Sequence, residues 1–435
     1  MKTVNIGLIG FGNIGTGVVR ALAANGDLAG ERTGAQLRLV RIADVDTRRR
    51  RDADYDPAIL TADAHAVTDD PAVDIVIELI GGLEPARSLV ERALRAGKHV
   101  VTANKAMLAT FGPDLLATAA RHGVALLFEA SVGGGIPIIR ALQTGLSANR
   151  IRRVFGIVNG TCNYILTSMA ERGKTFDAVL AEAQAHGYAE PDPTYDIEGY
   201  DTAHKTAILA QLAFGQDIRF ADVHVEGITK IAPVDIEYAR ELGYTIKLLG
   251  IAKHDPADGR AEVRVHPTLL PRSSLLASVG GVFNAVMVEG DLVGKTMFYG
   301  RGAGQDPTAS AVLSDVMSIA ADLARDAKPG AENRLRVEGG RKALKPIAEL
   351  EAAYYLRIPV LDRAGVMARL SGALGAREVS INSMIQKADH PAGRAEVIIV
   401  THTTRESAVQ QALAEIAAMD TTVGEPFVLR VEDEL

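Results

Sequence analysis

Tryptophan is absent from this 435-residue chain, and aromatic residues make up only 5% of it. Cysteine occurs once, at Cys162, which excludes an intramolecular disulfide and a zinc cluster built on cysteines. Basic charge is not in excess. Lys and Arg total 47 against 54 Asp and Glu, a formal net charge of −7. No broad basic surface for nucleic acid or an anionic membrane is implied. No apolar run approaches the ~20 residues that span a bilayer. The run from Val4 to Ile9 is short and passes into a glycine turn, unlike the cleavage region of a signal peptide. These absences point to a reducing cytoplasm. What remains is ordinary globular composition, 47% hydrophobic and 23% charged. The length suits roughly three domains of about 150 residues each.

Short apolar strands alternate with helical patterns over the first 130 residues. Strands are expected at Val4–Ile9, Leu37–Asp44, Asp74–Ile80, His99–Thr102 and Val124–Glu129, and helices near Gly15–Ala24 and Ala86–Ala96. That alternation predicts an α/β architecture on a parallel, doubly wound sheet. After Gly133-Gly134-Gly135 the pattern changes. Residues 160–215 read as mainly helical, residues 225–290 contain strands such as Glu262–His266, and a helix near Pro307–Asp326 follows Gly304. The polar stretch Lys328–Asn333 reads as a boundary. The last section reads strand, helix, strand, strand, helix, strand. Its strands fall near Ala353–Val360, Val379–Gln386, Ala395–Thr401 and Phe427–Val431, its helices near Gly365–Ala376 and Arg405–Met419.

Gly10-Phe11-Gly12-Asn13-Ile14-Gly15 follows a strand and opens a helix. Gly10 permits a tight turn, Gly12 lets a pyrophosphate approach the backbone, and Gly15 permits close packing. The helix N-terminus then stabilises phosphates. Asp44, at the end of the second strand, is placed to bond the ribose hydroxyls of NAD. Arg48, Arg49, Arg50 and Arg51 follow, and an arginine there pairs with the 2′-phosphate of NADP. The run leans toward NADP, with NAD still open and a solvated loop the plain alternative.

Asp201 and Lys205 stand four apart, on one face if the segment is helical. Glu190, Asp192 and Asp196 crowd the preceding turn, a place to receive a substrate ammonium group. Lys105 follows the strand ending at Thr102, at the carboxyl edge where such sheets bind ligands. A lysine exchanges a proton with an alcohol or aldehyde oxygen if burial or a second cation lowers its pKa. Together with the glycine turn, this points to redox chemistry on a small cationic alcohol or aldehyde, such as an amino acid. On spacing alone, Asp201 and Lys205 read as an exposed pair contributing ~0.3–0.5 kcal/mol. His204 reads as packing, and Cys162 as a small buried filler.

The chain resembles homoserine dehydrogenases. The matching segments are GFGNIG at 10–15, TANK at 102–105, EASVGGGIPII at 129–139, NGTCNYIL at 159–166, GYAEPDPTYDIEGYDTAHK at 187–205 and YGRGAG at 299–304. The resemblance implies NAD(P)-dependent interconversion of L-aspartate 4-semialdehyde and L-homoserine, on the route to threonine, isoleucine and methionine. It implies Lys205 as proton donor, assisted by Lys105 beside cofactor and substrate, with Asp201 and Glu190 at the substrate or its water network and Asp196 in support. The loop Asn159–Thr161, with Gly160 and Thr161 at the substrate, lies near substrate and cofactor on this reading. Thr102, Gly187 and Glu190 lie near the cofactor, and Gly302 near the nicotinamide side. It also implies a monovalent cation, usually sodium, held by Glu129 and the backbone oxygens of Val132, Gly134 and Ile136. Oxygen ligands and close glycine backbones suit a hard cation.

The C-terminal section resembles an ACT domain, with the signature Ile358-Pro359-Val360-Leu361-Asp362-Arg363-Ala364-Gly365-Val366. Ala364 stands where such domains often carry proline. Gly365 and Asn382 fall where they often contact an amino-acid effector, which implies feedback by threonine. The architecture expected is a Rossmann domain over 1–130 with a return segment at about 305–327, an α+β catalytic and dimerisation domain over 131–304, and a βαββαβ ACT domain over 350–432. A homodimer or homotetramer is expected. Two rival readings are another semialdehyde or amino-acid oxidoreductase, and a non-catalytic sensor of NADP and an amino acid.

Overall fold

The computed structural model describes residues 1–256, 259–329, 343–387, 393–433 and 435. The expected boundary stretch Lys328–Asn333 lies outside the described residues from position 330 onward. The early apolar runs become strands covered on both faces. They are β1 (Lys2–Ile9), β2 (Ala35–Ala43), β3 (Leu60–Thr61), β4 (Ile75–Glu78), β5 (His99–Thr102) and β6 (Leu126–Leu127). They form one parallel sheet in the order β3-β2-β1-β4-β5-β6. Ile6, Leu8, Ile75, Ile77 and Val101 are fully buried in it. The chain order reverses between β1 and β4, so the carboxyl ends of these strands open a crevice for a ligand.

Three details differ from the sequence reading. β2 stops at Ala43, so Asp44 follows the strand instead of ending it. β3 was not expected, because two residues leave no periodicity to read. β6 is also only two residues long. The chain leaves the sheet after Phe128 in a 3-10 turn, Glu129–Ser131, and the Glu129 carboxylate turns to accept the amides of Ile139 and Arg140 at 2.8 Å each.

The second sheet is larger. Its strands are β7 (Ile151–Ile157), β8 (His224–Val225), β9 (Tyr244–His254), β10 (Ala261–Pro271), β11 (Phe283–Gly290), β12 (Gly294–Arg301), β13 (Glu351–Leu361), β14 (Ile381–Gln386), β15 (Arg394–Thr401), β16 (Thr404–Arg405) and β17 (Phe427–Val431). The main path runs β12-β11-β7-β9-β10-β17-β13-β15-β14, with β8 beside β10 and β16 beside β13. The Tyr200–Phe214 helix lies on β7, β9 and β10. A Cβ on Gly250 of β9 would overlap the Thr206 hydroxyl, so that glycine sets how closely this helix approaches the sheet. The Gln305–Ala324 helix packs on the helices Asn13–Ala24 and Gly26–Thr33 of the first domain.

The C-terminal section has the expected order of elements, with helices at Val366–Gly375 and Glu406–Ala417 between its strands. It is not set apart, however. Its last strand, β17, pairs parallel with β10, Thr268 opposite Arg430 and Leu269 opposite Val431, so one sheet runs through both domains. Buried ion pairs fasten the seam. Asp235 accepts from the Tyr355 hydroxyl at 3.0 Å and from Arg357 at 2.7 and 3.2 Å. Arg430 joins Glu406 in its own domain to Glu226 in the neighbouring one. Among the described residues, no helix is long and apolar enough to cross a membrane.

Candidate active site

Gly10 turns the chain off β1 with φ of +97°, and a Cβ there would meet the backbone of Leu79 and Ile80 at 2.7–2.9 Å. Gly12 faces open space, and Gly15 lies against the Gly10 carbonyl. The Asn13–Ala24 helix thus opens with no side-chain cap, its amides free for an anion. Phe11 is buried and Ile14 half-buried. The carbonyl and side-chain oxygens of Asn13 accept from the Gln305 amide at 2.7 and 3.0 Å. Asp44 accepts from the Phe11 amide at 2.6 Å and the Asp46 amide at 2.9 Å. The arginine run divides. Arg48, Arg49 and Arg50 stay exposed. The Arg51 guanidinium folds inward, donating to the carbonyls of Phe11, Asp46 and Arg49 at 2.7, 2.7 and 2.8 Å, with Asp44 at 3.2 Å. Arg51 thus ties the loop to the glycine turn.

The Tyr200–Phe214 helix is buried on every side from Asp201 to Leu212. The exposed-pair reading therefore fails, since Asp201 is 2% and Lys205 8% exposed. Lys205 Nζ donates to Asp201 Oδ2 at 2.7 Å and to the Val158 carbonyl at 2.7 Å. Lys105 begins the Lys105–His122 helix, whose first turn is capped by Asn104. Its Nζ reaches Asp201 Oδ1 at 2.5 Å across the domain boundary. One carboxylate therefore bridges two ammonium groups from two domains. Asn159 donates to Asp201 Oδ2 at 2.8 Å and Asp196 Oδ1 at 2.7 Å, while its own oxygen caps the Gly160–Arg172 helix at the Cys162 amide. The Thr161 hydroxyl lies 3.0 Å from Asp196 Oδ2 and 2.7 Å from the Tyr188 carbonyl.

Burial alone would raise the Asp201 carboxyl, but Lys205 and Lys105 outweigh it and hold the group well below the usual carboxylate range. Lys105 goes the other way. Burial would lower it, and the carboxylates of Asp201, Asp196 and Glu190 hold it above its ordinary value. Lys205 is held below its ordinary value by burial, with the Lys105 charge adding to the effect against Asp201. The two lysines thus differ: Lys105 is a fixed cation at the cleft, its side chain 36% exposed, while Lys205 is the buried, more acidic ammonium.

Comparison with known proteins places the chain in a family. Three family models match: homoserine dehydrogenase, NAD binding domain, over residues 10–129; homoserine dehydrogenase over 137–317; and ACT domain over 354–419. The chain is 44% identical to the homoserine dehydrogenase of Pseudomonas aeruginosa over 99% of both chains. This chain belongs to the homoserine dehydrogenase family. The Bacillus subtilis homoserine dehydrogenase is 40% identical, again over 99% of each chain. A solved homoserine dehydrogenase from Thiobacillus denitrificans aligns at TM-score 0.91 and 43% identity, covering 100% of this chain and 99% of that one. A hyperthermophilic archaeal homoserine dehydrogenase in complex with NADPH aligns at TM-score 0.61 and 25% identity, covering 73% of this chain and 97% of that one.

The other residues expected at the site fall into distinct settings. The Thr102 hydroxyl is taken up inside the fold, donating to Glu78 at 2.6 Å and accepting the Asn104 amide at 3.0 Å. Glu190 is exposed, and Gly187 turns the chain before it with φ of +72°. Gly160 packs on the Val282 carbonyl, and Gly302 against Asn284 and Gly134. Glu129 and Asp315 are two buried carboxylates with one partly exposed arginine, Arg140, 3.4 Å from Asp315. Burial raises the Glu129 carboxyl, and burial with the Glu129 charge pushes Asp315 up to about 7. These buried carboxyls offer oxygen atoms of the kind a hard cation takes, although the Ile136 carbonyl already accepts the Ile138 amide at 2.8 Å. Among the described residues, no group of three or more His, Cys, Asp or Glu side chains is gathered for a metal. In the ACT domain, Gly365 opens the Val366–Gly375 helix, and Asn382 is the extra residue where the β14–β15 register shifts.

Sequence reasoning missed the bridging role of the Asn159 side chain. An asparagine just before a helix is an N-cap signal, but its second contact is tertiary. It also missed Tyr195, whose ring lies 5.6 Å from Lys105 Nζ and whose hydroxyl lies 2.6 Å from His204 Nδ1. Arg51→Ala should free the 44–51 loop and raise the KM for NADPH and NADH together, measured by initial rates. An effect confined to one cofactor would contradict the loop-lock role.

Proposed function

We propose that this site interconverts L-homoserine and L-aspartate 4-semialdehyde with NADP as the preferred carrier and Lys205 as the proton donor to the aldehyde oxygen. The bound nicotinamide supplies the hydride in reduction and accepts it in oxidation. Lys205 delivers a proton to the oxygen as the hydride reaches the carbon, and takes it back in the reverse direction. The observation that carries this reading is the Asp201 bridge, which leaves Lys205 buried beside a second cation and so readier to release a proton. Two of its three ammonium hydrogens have partners, Asp201 and Val158, and the third is left for the substrate oxygen. Asp196 is taken up by Asn159 and Thr161, which supports a positioning role. The exposed Glu190 is then the receiver for the substrate ammonium group, with Gly160 and Thr161 beside it. Lys205→Ala should lower turnover by roughly 10²–10⁴-fold, the usual worth of general acid–base catalysis, with NADPH affinity intact by fluorescence titration. Near-normal turnover would refute the assignment.

The preference for NADP is supported by the exposed Arg48 and Arg49 beyond Asp44, and by the NADPH complex of the archaeal relative. NAD remains usable on this reading, since Asp44 is retained. A sodium ion at Glu129, Val132, Gly134 and Ile136 would offset the buried charge of Glu129 and Asp315 and brace the 129–139 segment against the loop at Gly302. Replacing sodium by tetramethylammonium should lower both activity and Tm, and no change in either would dismiss the site. Threonine acting at Gly365 and Asn382 is the proposed feedback signal, in a cytoplasmic homodimer or homotetramer. Threonine titration should inhibit the full chain, with mass followed by light scattering in the same samples, and unaltered rates at saturating threonine would leave the ACT domain without that role.

A further inference from the structure

The turn that carries the catalytic groups rests on a backbone ledge, and that ledge is gripped from the ACT domain. Asp196 lies in the short Thr194–Ile197 helix, and Gly199 opens the helix of Asp201 and Lys205. Between them, the Ile197 carbonyl accepts the Ile228 amide at 2.8 Å. The Glu198 carboxylate accepts from the Thr229 hydroxyl at 3.2 Å. Contact at Gly227 is closer still, since a Cβ there would overlap the Ile197 carbonyl oxygen and stand 2.6 Å from Glu198 Cα. A Cβ on Gly199 would in turn lie 3.2 Å from the Glu226 carbonyl oxygen. Two segments thus meet backbone to backbone at Gly227, with the Glu198 and Val225 side chains packed against the same contact.

Glu226 sets where that ledge stands. Its amide donates to the Val265 carbonyl at 2.8 Å, extending the β8–β10 pairing. Its carboxylate receives a two-pronged contact from Arg430, at 2.9 Å from Nη1 and 2.8 Å from Nη2, and His224 Nε2 lies 2.7 Å from Oε1. Arg430 belongs to β17, is 2% exposed, and is fixed on its other side by two 2.7 Å bonds to Glu406 of the ACT helix. A buried, forked arginine held at both ends is a stiff strut, because the planar guanidinium fixes distance and direction together.

We infer that Arg430 and Glu226 are positioning residues for the reaction: the ACT domain's last strand, through Glu226, holds the Ile197–Gly199 turn that places Asp201 and Lys205. This rests on the reading of Lys205 and Asp201 given above. A buried ion pair between domains is also an ordinary seam contact, and the Asp235 cluster with Tyr355 and Arg357 serves as its comparison. Asp235 ties the same two domains through a different helix, Pro233–Glu241, which packs on β9 and on the Gly160–Arg172 helix.

The test is steady-state kinetics on the full-length protein with Glu226→Gln, Asp235→Asn and Lys205→Ala in parallel, each with its Tm and NADPH affinity. Small misplacement of reacting groups lowers turnover steeply, so Glu226→Gln should lower kcat about tenfold, with the KM for homoserine within about twofold and NADPH affinity unchanged. Asp235→Asn should lower Tm and keep kcat. Arg430→Lys, which keeps the charge but loses the fork, should fall between wild type and Glu226→Gln and serves if the latter folds poorly. Wild-type kcat in Glu226→Gln would overturn the inference, as would an equal loss of kcat in Asp235→Asn. If Lys205→Ala kept its turnover, the active-site reading itself would fail. Loss of turnover in Lys205→Ala with normal Glu226→Gln would sink only the positioning role.

Discussion

Asp201 is a buried carboxylate, and burying an unpaired charge costs several kcal/mol even after the protein relaxes. It stays ionised because ammonium groups reach it from two directions, Lys205 at 2.7 Å and Lys105 at 2.5 Å. Much of the molecule follows from that balance. Lys105 must be delivered by the end of β5 in the nucleotide-binding domain, and Lys205 by a helix of the other sheet. The cleft between the domains therefore closes around one shared anion. The same arrangement makes the two lysines chemically unequal, the half-buried Lys105 raised and the buried Lys205 lowered.

The surroundings of the anion are as constrained as the anion itself. Asn159 divides its amide between Asp201 and Asp196 and uses its oxygen to cap a helix, so three elements share one side chain. Gly227 and Gly250 let backbone approach backbone or helix approach strand, where a methyl group would force them apart. Such contacts transmit position because close-packed interiors do not yield locally. The ACT domain enters the same network through β17, whose pairing with β10 makes it part of the catalytic sheet. A domain that reads as an appendage in the chain is thus a structural neighbour of the turn before Asp201 and Lys205.

The cofactor turn has a comparable division of labour. The glycines shape the backbone, Asp44 ties the turn to the strand that follows, and Arg51 closes the loop by meeting three carbonyls. Only Arg48 to Arg50 keep their side chains in solvent. Four adjacent arginines therefore serve two purposes, and their order along the chain does not reveal which serves which.

The sequence alone determined the α/β architecture, the glycine turn after the first strand, and the order of elements in the C-terminal section. Each is carried by local information: apolar periodicity, glycines at fixed spacing, and acids and lysines within one helical repeat. It also held the motifs by which Lys105, Asp201 and Lys205 were singled out. Spacing could not say whether Asp201 and Lys205 face water or the core, because an i,i+4 pair looks the same in either place. Burial decided that, and burial depends on what the fold lays over the helix. The two-residue strand β3 was equally illegible, since pairing in a sheet and not local pattern makes it a strand, whereas β6 was expected over a longer run than it keeps. The inward turn of Arg51, the second contact of Asn159 and the Arg430–Glu226 seam are tertiary for the same reason. Their partners lie far apart in the chain, and only the packed domains bring them within hydrogen-bonding distance.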